Sequence, residues 1–154
     1  MKKIVLAIFA FIVSTSLFAQ IKDPVSWKYE VVKQTGNSYQ LTITATVPKP
    51  WHIYSQNTPK GGPIPTKINI NSNPLITLTA GKLKEIGKLE KTLDKNFSPK
   101  GVEVLFYSEQ VQFIQNISLK GAVKTNISGS VEYMVCDDSQ CLPPTKKSFD
   151  IKIQ

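Results

Sequence analysis

Arginine is missing altogether: all nineteen basic residues are lysine. Nucleic-acid sites lean on the planar guanidinium, which grips phosphates and guanine edges through two parallel hydrogen bonds that a lysine ammonium does not reproduce. The lysines run from Lys22 to Lys152 outside the first three residues, with no cluster longer than Lys146-Lys147. The net charge of +8 therefore reads as solvated strand faces and loop ends, not as a nucleic-acid surface. Histidine occurs once, at His52, and cysteine twice, at Cys136 and Cys141. A four-ligand zinc centre would have to recruit carboxylates such as Asp137 and Asp138, so neither a metal nor another cofactor is expected. No apolar stretch approaches the ~20 residues that cross a bilayer as a helix. The mature chain also lacks any apolar repeat of helical period.

The N-terminus has the layout of a secretory signal peptide: Met1-Lys2-Lys3, the apolar run from Ile4 to Val13, then Leu17-Phe18-Ala19 before the polar Gln20. Residues 1–19 are expected to be removed. No cysteine near that boundary offers a lipid attachment point, so the product is expected to be soluble in the periplasm, with no membrane insertion of the mature chain. Residues 20–154 then form a single domain of ordinary size, large enough to bury a core without staples.

Period-two alternation is frequent in that domain. Trp27, Tyr29 and Val31 alternate with Ser26, Lys28 and Glu30, while Tyr39, Leu41, Ile43, Ala45 and Val47 alternate mostly with Gln and Thr. Each pattern is a strand with one wet face. Further strands are expected around Trp51 to Tyr54, Thr66 to Ile70, Leu75 to Thr79, Val102 to Tyr107, Gln110 to Leu119, Asn126 to Cys136 and Ser148 to Ile153. Turn residues such as Gly36-Asn37, Pro48-Lys49-Pro50 and Asn73-Pro74 separate them. Seven to nine short strands so punctuated predict an all-β fold, an immunoglobulin-like antiparallel β-sandwich. The segment from Gly81 to Gly101 is the least strand-like and is expected to be a long loop.

Two cysteines in an exported chain meet an oxidising compartment, so a disulfide is the default. A bridge across so short a loop stabilises by only ~2 kcal/mol in the chain-entropy model, against ~4 for one closing fifty residues or more. Cys136 to Cys141 is thus a weak staple. By strand parity Ile127, Val131, Tyr133 and Val135 share a core-directed face, which places Cys136 on the more polar one. Leu142-Pro143-Pro144 then stiffens the chain and stops ladder pairing. An accessible, locally closed disulfide belongs to the class that exchanges with other thiols. The residues alone leave two readings open, a redox pair and a local structural clip.

The run from Tyr133 through Cys136-Asp137-Asp138-Ser139-Gln140-Cys141-Leu142-Pro143-Pro144 to Thr145 resembles the redox motif of the N-terminal periplasmic domain of the thiol:disulfide interchange protein DsbD. Pro50-Trp51-His52-Ile53-Tyr54 is similar to that family's aromatic strand segment, and the resemblance covers most of the mature chain. It implies an immunoglobulin-like fold and a catalytic pair, Cys136 and Cys141, that takes electrons from a membrane-embedded thiol carrier. The pair would hand them to oxidised periplasmic thioredoxin-fold proteins, including those of cytochrome c maturation. It further implies a cap loop, for which Asp94-Lys95-Asn96-Phe97 is the matching segment and Phe97 the candidate lid, and it favours Cys141 as the attacking thiol. His52 and Tyr54 share a strand face and are candidates to line the site, though a packed aromatic and a surface histidine are equally open readings. Four residues separate the cysteines here, against five in the best-known members. Because the sequence ends at Gln154, the electron donor is expected to be a separate polypeptide.

The expected function is a thiol–disulfide oxidoreductase relay. The competing reading is a non-catalytic immunoglobulin-like binding module with a structural disulfide. Asp137 and Asp138, directly after Cys136, are expected to raise the thiol pKa, because like charge disfavours a second anion.

Overall fold

The computed structural model describes residues 23–78, 81, 83–95 and 97–153. The expected signal peptide lies outside them. Twelve strands and no helix occur among the described residues, and every pairing is antiparallel. One layer is built on β1 (Ser26–Lys33), β2 (Ser38–Thr46) and β9 (Gln110–Leu119), with β5 (Ile76–Leu78) and β6 (Lys84–Gly87) both paired to β9. The other layer has two parts. One is the sheet β12-β10-β4, formed by Thr145–Ile153, Thr125–Tyr133 and Lys67–Ile70. The second is β11-β3-β8-β7, formed by Val135–Cys136, His52–Tyr54, Val102–Tyr107 and Glu90–Asp94.

The alternation read from the sequence is what packs these layers. Leu41, Ile43 and Ala45 of β2 and Val111, Phe113 and Ile117 of β9 are fully buried against Ile53, Ile127, Val131, Tyr133 and Val135 of the opposite layer. Trp27 stacks on Phe113 and tilts against Tyr133, which ties the edge strand β1 into the same core. At the N-terminal boundary Asp23 accepts a 2.7 Å hydrogen bond from the Tyr133 hydroxyl and pairs with Lys147 at 2.6 Å. The sequence segment from Gly81 to Gly101 is not a continuous loop: it supplies β6 and β7, one to each layer. Their apolar content is too low for the alternation to register, because β7 is an edge strand and Lys91 and Leu93 face outward.

A second correction bears directly on function. The chain changes sheets at Met134, where Tyr133 pairs with β12 while Val135 and Cys136 pair with β3. Parity nevertheless carries through: Tyr133 and Val135 lie in the main core and Met134 packs with Cys136 on the other side, but that side is covered and not open. Val135 and Cys136 are both buried, each on its own side of the β11-β3-β8-β7 sheet. Cys136 therefore lies beneath the surface, with Tyr54 and Val104, in a small cluster separate from the main core.

Candidate functional site

The β11-β3-β8-β7 sheet has two unlike faces. Ile53, Tyr107 and Val135 belong to the main core. On the other face, cross-strand partners share a side, so the register assembles a row from four strands. Cys136 opposes His52, Tyr54 opposes Phe106, and Phe106 opposes Glu90. One step further along β8, Val104 opposes Thr92. This face lines an open groove of about 850 Å³, to which residues 137–141 also contribute.

Cys136 and Cys141 are joined by a disulfide, with S–S 2.03 Å. The intervening residues form a tight turn in which the Asp137 N–H donates to the Gln140 carbonyl, and the Leu142 N–H donates to the Val135 carbonyl below it. Asp137 suits the first position of such a turn because its carboxylate caps the backbone that follows. Its Oδ1 accepts from the Ser139 and Gln140 amides and the Ser139 hydroxyl, each at 2.8 Å. These bonds, the Ser139 amide first, pull the Asp137 carboxyl down to about 2. The turn leaves the two sulfur-bearing residues in different surroundings: Cys136 is 1% exposed, whereas Cys141 is exposed.

His52 is no isolated surface residue. Its Nε2 lies 3.2 Å from the Tyr54 hydroxyl, its ring meets Tyr54 edge-on at 5.3 Å, and Phe106 tilts against it at 4.9 Å. Burial lowers the imidazole pKa from its ordinary 6.5, and the charges of Asp138, Asp94, Asp137 and Glu90 oppose that shift in part. Tyr54 is fully buried and held protonated, by burial first and then by the charge of Asp94. Among the groove residues four are acidic and one, Lys95, is basic, a reversal of the chain's overall sign. Asp94 and Lys95 of the expected cap segment line the groove. Asn96 lies outside the described residues, and Phe97 is half-buried but not part of the groove lining.

The sequence reading missed Glu90, Thr92 and Phe106, which reach the site only through strand pairing. The one local signal for the β7 pair was the acid–Thr–acid alternation Glu90-Thr92-Asp94 against Lys91 and Leu93.

Because the bridge closes a short loop and the main core lies on the far side of the sheet, reducing it is expected to leave the sandwich folded. The cost should be ~2 kcal/mol or less, which lowers Tm by about 5–10 °C in a domain of this size. Calorimetry with and without reductant measures it. Loss of the cooperative transition on reduction would make the disulfide a structural element.

A short-loop disulfide with one accessible end, set in an open groove of an immunoglobulin-like sandwich, defines a thiol–disulfide exchange domain. The chain belongs to the family of the thiol:disulfide interchange protein DsbD, N-terminal, whose model matches residues 20–153. Solved relatives share the fold. The N-terminal periplasmic domain of ScsB from Proteus mirabilis superposes with a TM-score of 0.56 at 16% identity over 84% of this chain, which spans 47% of that one. The DsbD N-terminal domain of Neisseria meningitidis does so in its reduced form (TM-score 0.50, 17% identity, 81% of this chain and 83% of that one). It does so again in a complex with the PilB N-terminal domain (TM-score 0.50, 15% identity, 80% of each chain). Over 79 residues the chain is also 33% identical to Non-specific lipid-transfer protein-like 1 of Caenorhabditis elegans, covering 46% of this chain and 67% of that protein. That stretch is under half of this chain, whereas the family match takes in the whole described sandwich and both cysteines.

Proposed function

We propose that this domain relays electrons in the periplasm through Cys136 and Cys141, from a membrane-embedded thiol carrier to oxidised thioredoxin-fold proteins. The observation that carries the reading is the inequality of the two cysteines: an exposed Cys141 bridged to a buried Cys136 at the end of a groove. The solved complex of a DsbD N-terminal domain with the PilB N-terminal domain supports a protein as the docking partner. In the reduced domain the Cys141 thiolate attacks one sulfur of the acceptor's disulfide, and the other acceptor sulfur leaves as a thiolate. Cys136 then attacks Cys141 Sγ, closing the bridge and releasing the second acceptor thiolate. Recharging runs the same steps backward, with the donor's thiolate arriving at Cys141 Sγ. Asp137 and Asp138 keep the resting thiols protonated, and Phe97 is the candidate lid, on the loop that leaves β7 through Asp94 and Lys95.

Trapping tests this reading. Cys136→Ala leaves the exposed Cys141 unable to be resolved, so a reductant-sensitive adduct with a thioredoxin-fold protein should accumulate in the native host. Cys141→Ala, which leaves only the buried thiol, should trap at least about tenfold less. Equal trapping by both variants would remove the assigned order, and no adduct from either would count against the relay.

A further inference from the structure

We infer that His52 is the proton donor and acceptor for Cys136 during exchange, an inference that rests on the exchange reading above. His52 is the register partner of Cys136 across β3 and β11, and both side chains line the groove. Side chains so paired have Cβ atoms about 5 Å apart, within reach of a hydrogen bond between imidazole and sulfur.

The chemistry of the buried sulfur requires such a group. When an incoming thiolate attacks Cys141 Sγ, the S–S bond breaks and its electron pair moves to Cys136 Sγ. Cys136 is 1% exposed, and a bare thiolate there is penalised by desolvation. The charged groups around it make matters worse: Asp137 and Asp138 follow it in the turn, and Glu90 and Asp94 face the groove from β7. Lys95 is the one cation on the lining. A proton must therefore accompany the electron pair. The chain's only histidine is the one groove side chain of a type that exchanges protons near neutral pH. The same four acids that disfavour a thiolate favour an imidazolium, and so offset in part the burial that lowers the ring's pKa.

Tyr54 fixes the ring. Its oxygen can accept from Nε2–H, which leaves Nδ1 of the neutral imidazole as the nitrogen that takes a proton and returns it. In the recharging direction imidazolium gives its proton to the nascent Cys136 thiolate and is reprotonated from water. In the discharging direction neutral His52 takes the Cys136 proton, and the thiolate attacks Cys141 Sγ in the mixed disulfide. Each step conserves protons and electrons, and the partner thiol is the only co-reactant.

The test is the rate at which dithiothreitol reduces the oxidised protein between pH 5 and 9, expressed per dithiothreitol thiolate, for wild type and His52→Gln. The wild-type rate should rise as pH falls, with its midpoint below the ordinary histidine value of about 6.5, because burial lowers the imidazole pKa and imidazolium becomes available only there. The His52→Gln rate should be flat and at least about tenfold slower at pH 5. Tyr54→Phe keeps the imidazole and should keep the acid-side rise. Coincident profiles for wild type and His52→Gln, with the wild type readily reduced, would overturn the assignment to His52 and leave the relay standing. A folded wild type that dithiothreitol does not reduce at any pH would overturn both. Should His52→Gln not fold, the wild type decides by NMR: the single histidine's signals should titrate differently in oxidised and reduced protein, and identical curves refute the proposal.

Discussion

Gly129→Ala is expected to destabilise the domain by about 2–4 kcal/mol, more than its one added methyl group would suggest. Gly129 sits in the middle of β10, with Phe149 of β12 and Ile70 of β4 as its register partners. A Cβ at this position would overlap the backbone carbonyl oxygen of Asn69 and lie 2.7 Å from Phe149 Cζ. A ring can swing aside, but the Asn69 carbonyl belongs to a strand laddered to β10 and can yield only if the sheet does. Adding Phe149→Leu to Gly129→Ala should consequently recover only part of the loss. Ser128→Ala, one residue away on β10, should cost little beyond its hydrogen bond with Asn71. Urea unfolding of the four proteins measures these differences. A Gly129→Ala loss below about 0.5 kcal/mol would show that the sheet accommodates the methyl group.

This glycine also marks what was legible in the sequence and what was not. Strands rich in apolar and β-branched residues between clear turn signals were placed to the residue: Val102–Tyr107 and Gln110–Leu119 coincide with expectation. Lys84–Gly87 and Glu90–Asp94 were not visible, since an edge strand with two polar-looking faces carries no period that distinguishes it from a loop. The site was legible as far as its chemistry is local. Cys136, Cys141, His52 and Tyr54 lie in short motifs, and the structure brings all four to one groove. The burial of Cys136 was not: parity along the strand gives its face, away from the main core, but Tyr54 and Val104, which bury it there, arrive from β3 and β8. Nor was the acidic wall, which exists only because β7 pairs with β8.

Glu85→Ala is expected to cost about 3–5 kcal/mol, because a half-buried carboxylate with four donors would leave several of them unmatched. On β6, Glu85 Oε2 accepts from the Ser55 hydroxyl at 2.6 Å and from the Tyr107 hydroxyl at 2.8 Å. Its Oε1 accepts from the Gln56 amide at 2.7 Å and from Gln56 Nε2 at 3.2 Å. Since β6 pairs with β9 in one layer while Ser55 and Tyr107 belong to the other, this single side chain clasps the two layers together. The clasp stands directly behind the site: Ser55 follows Tyr54, Tyr107 follows Phe106, and both site residues lie on the groove. Burial, and then the bond to Glu85 and its charge, hold the Tyr107 hydroxyl protonated and hence a donor. Glu85→Gln keeps the shape and one acceptor oxygen, and hydroxyls can rotate to accept from its amide, so it should cost roughly half as much. Denaturant unfolding gives both values. The groove supplies an independent readout, because a loosened β3–β8 pair should move the His52 ring signals of Glu85→Ala under native conditions more than those of Glu85→Gln. A stability loss below about 1 kcal/mol for Glu85→Ala, or unmoved His52 signals, would mean that the two layers hold the groove without the clasp.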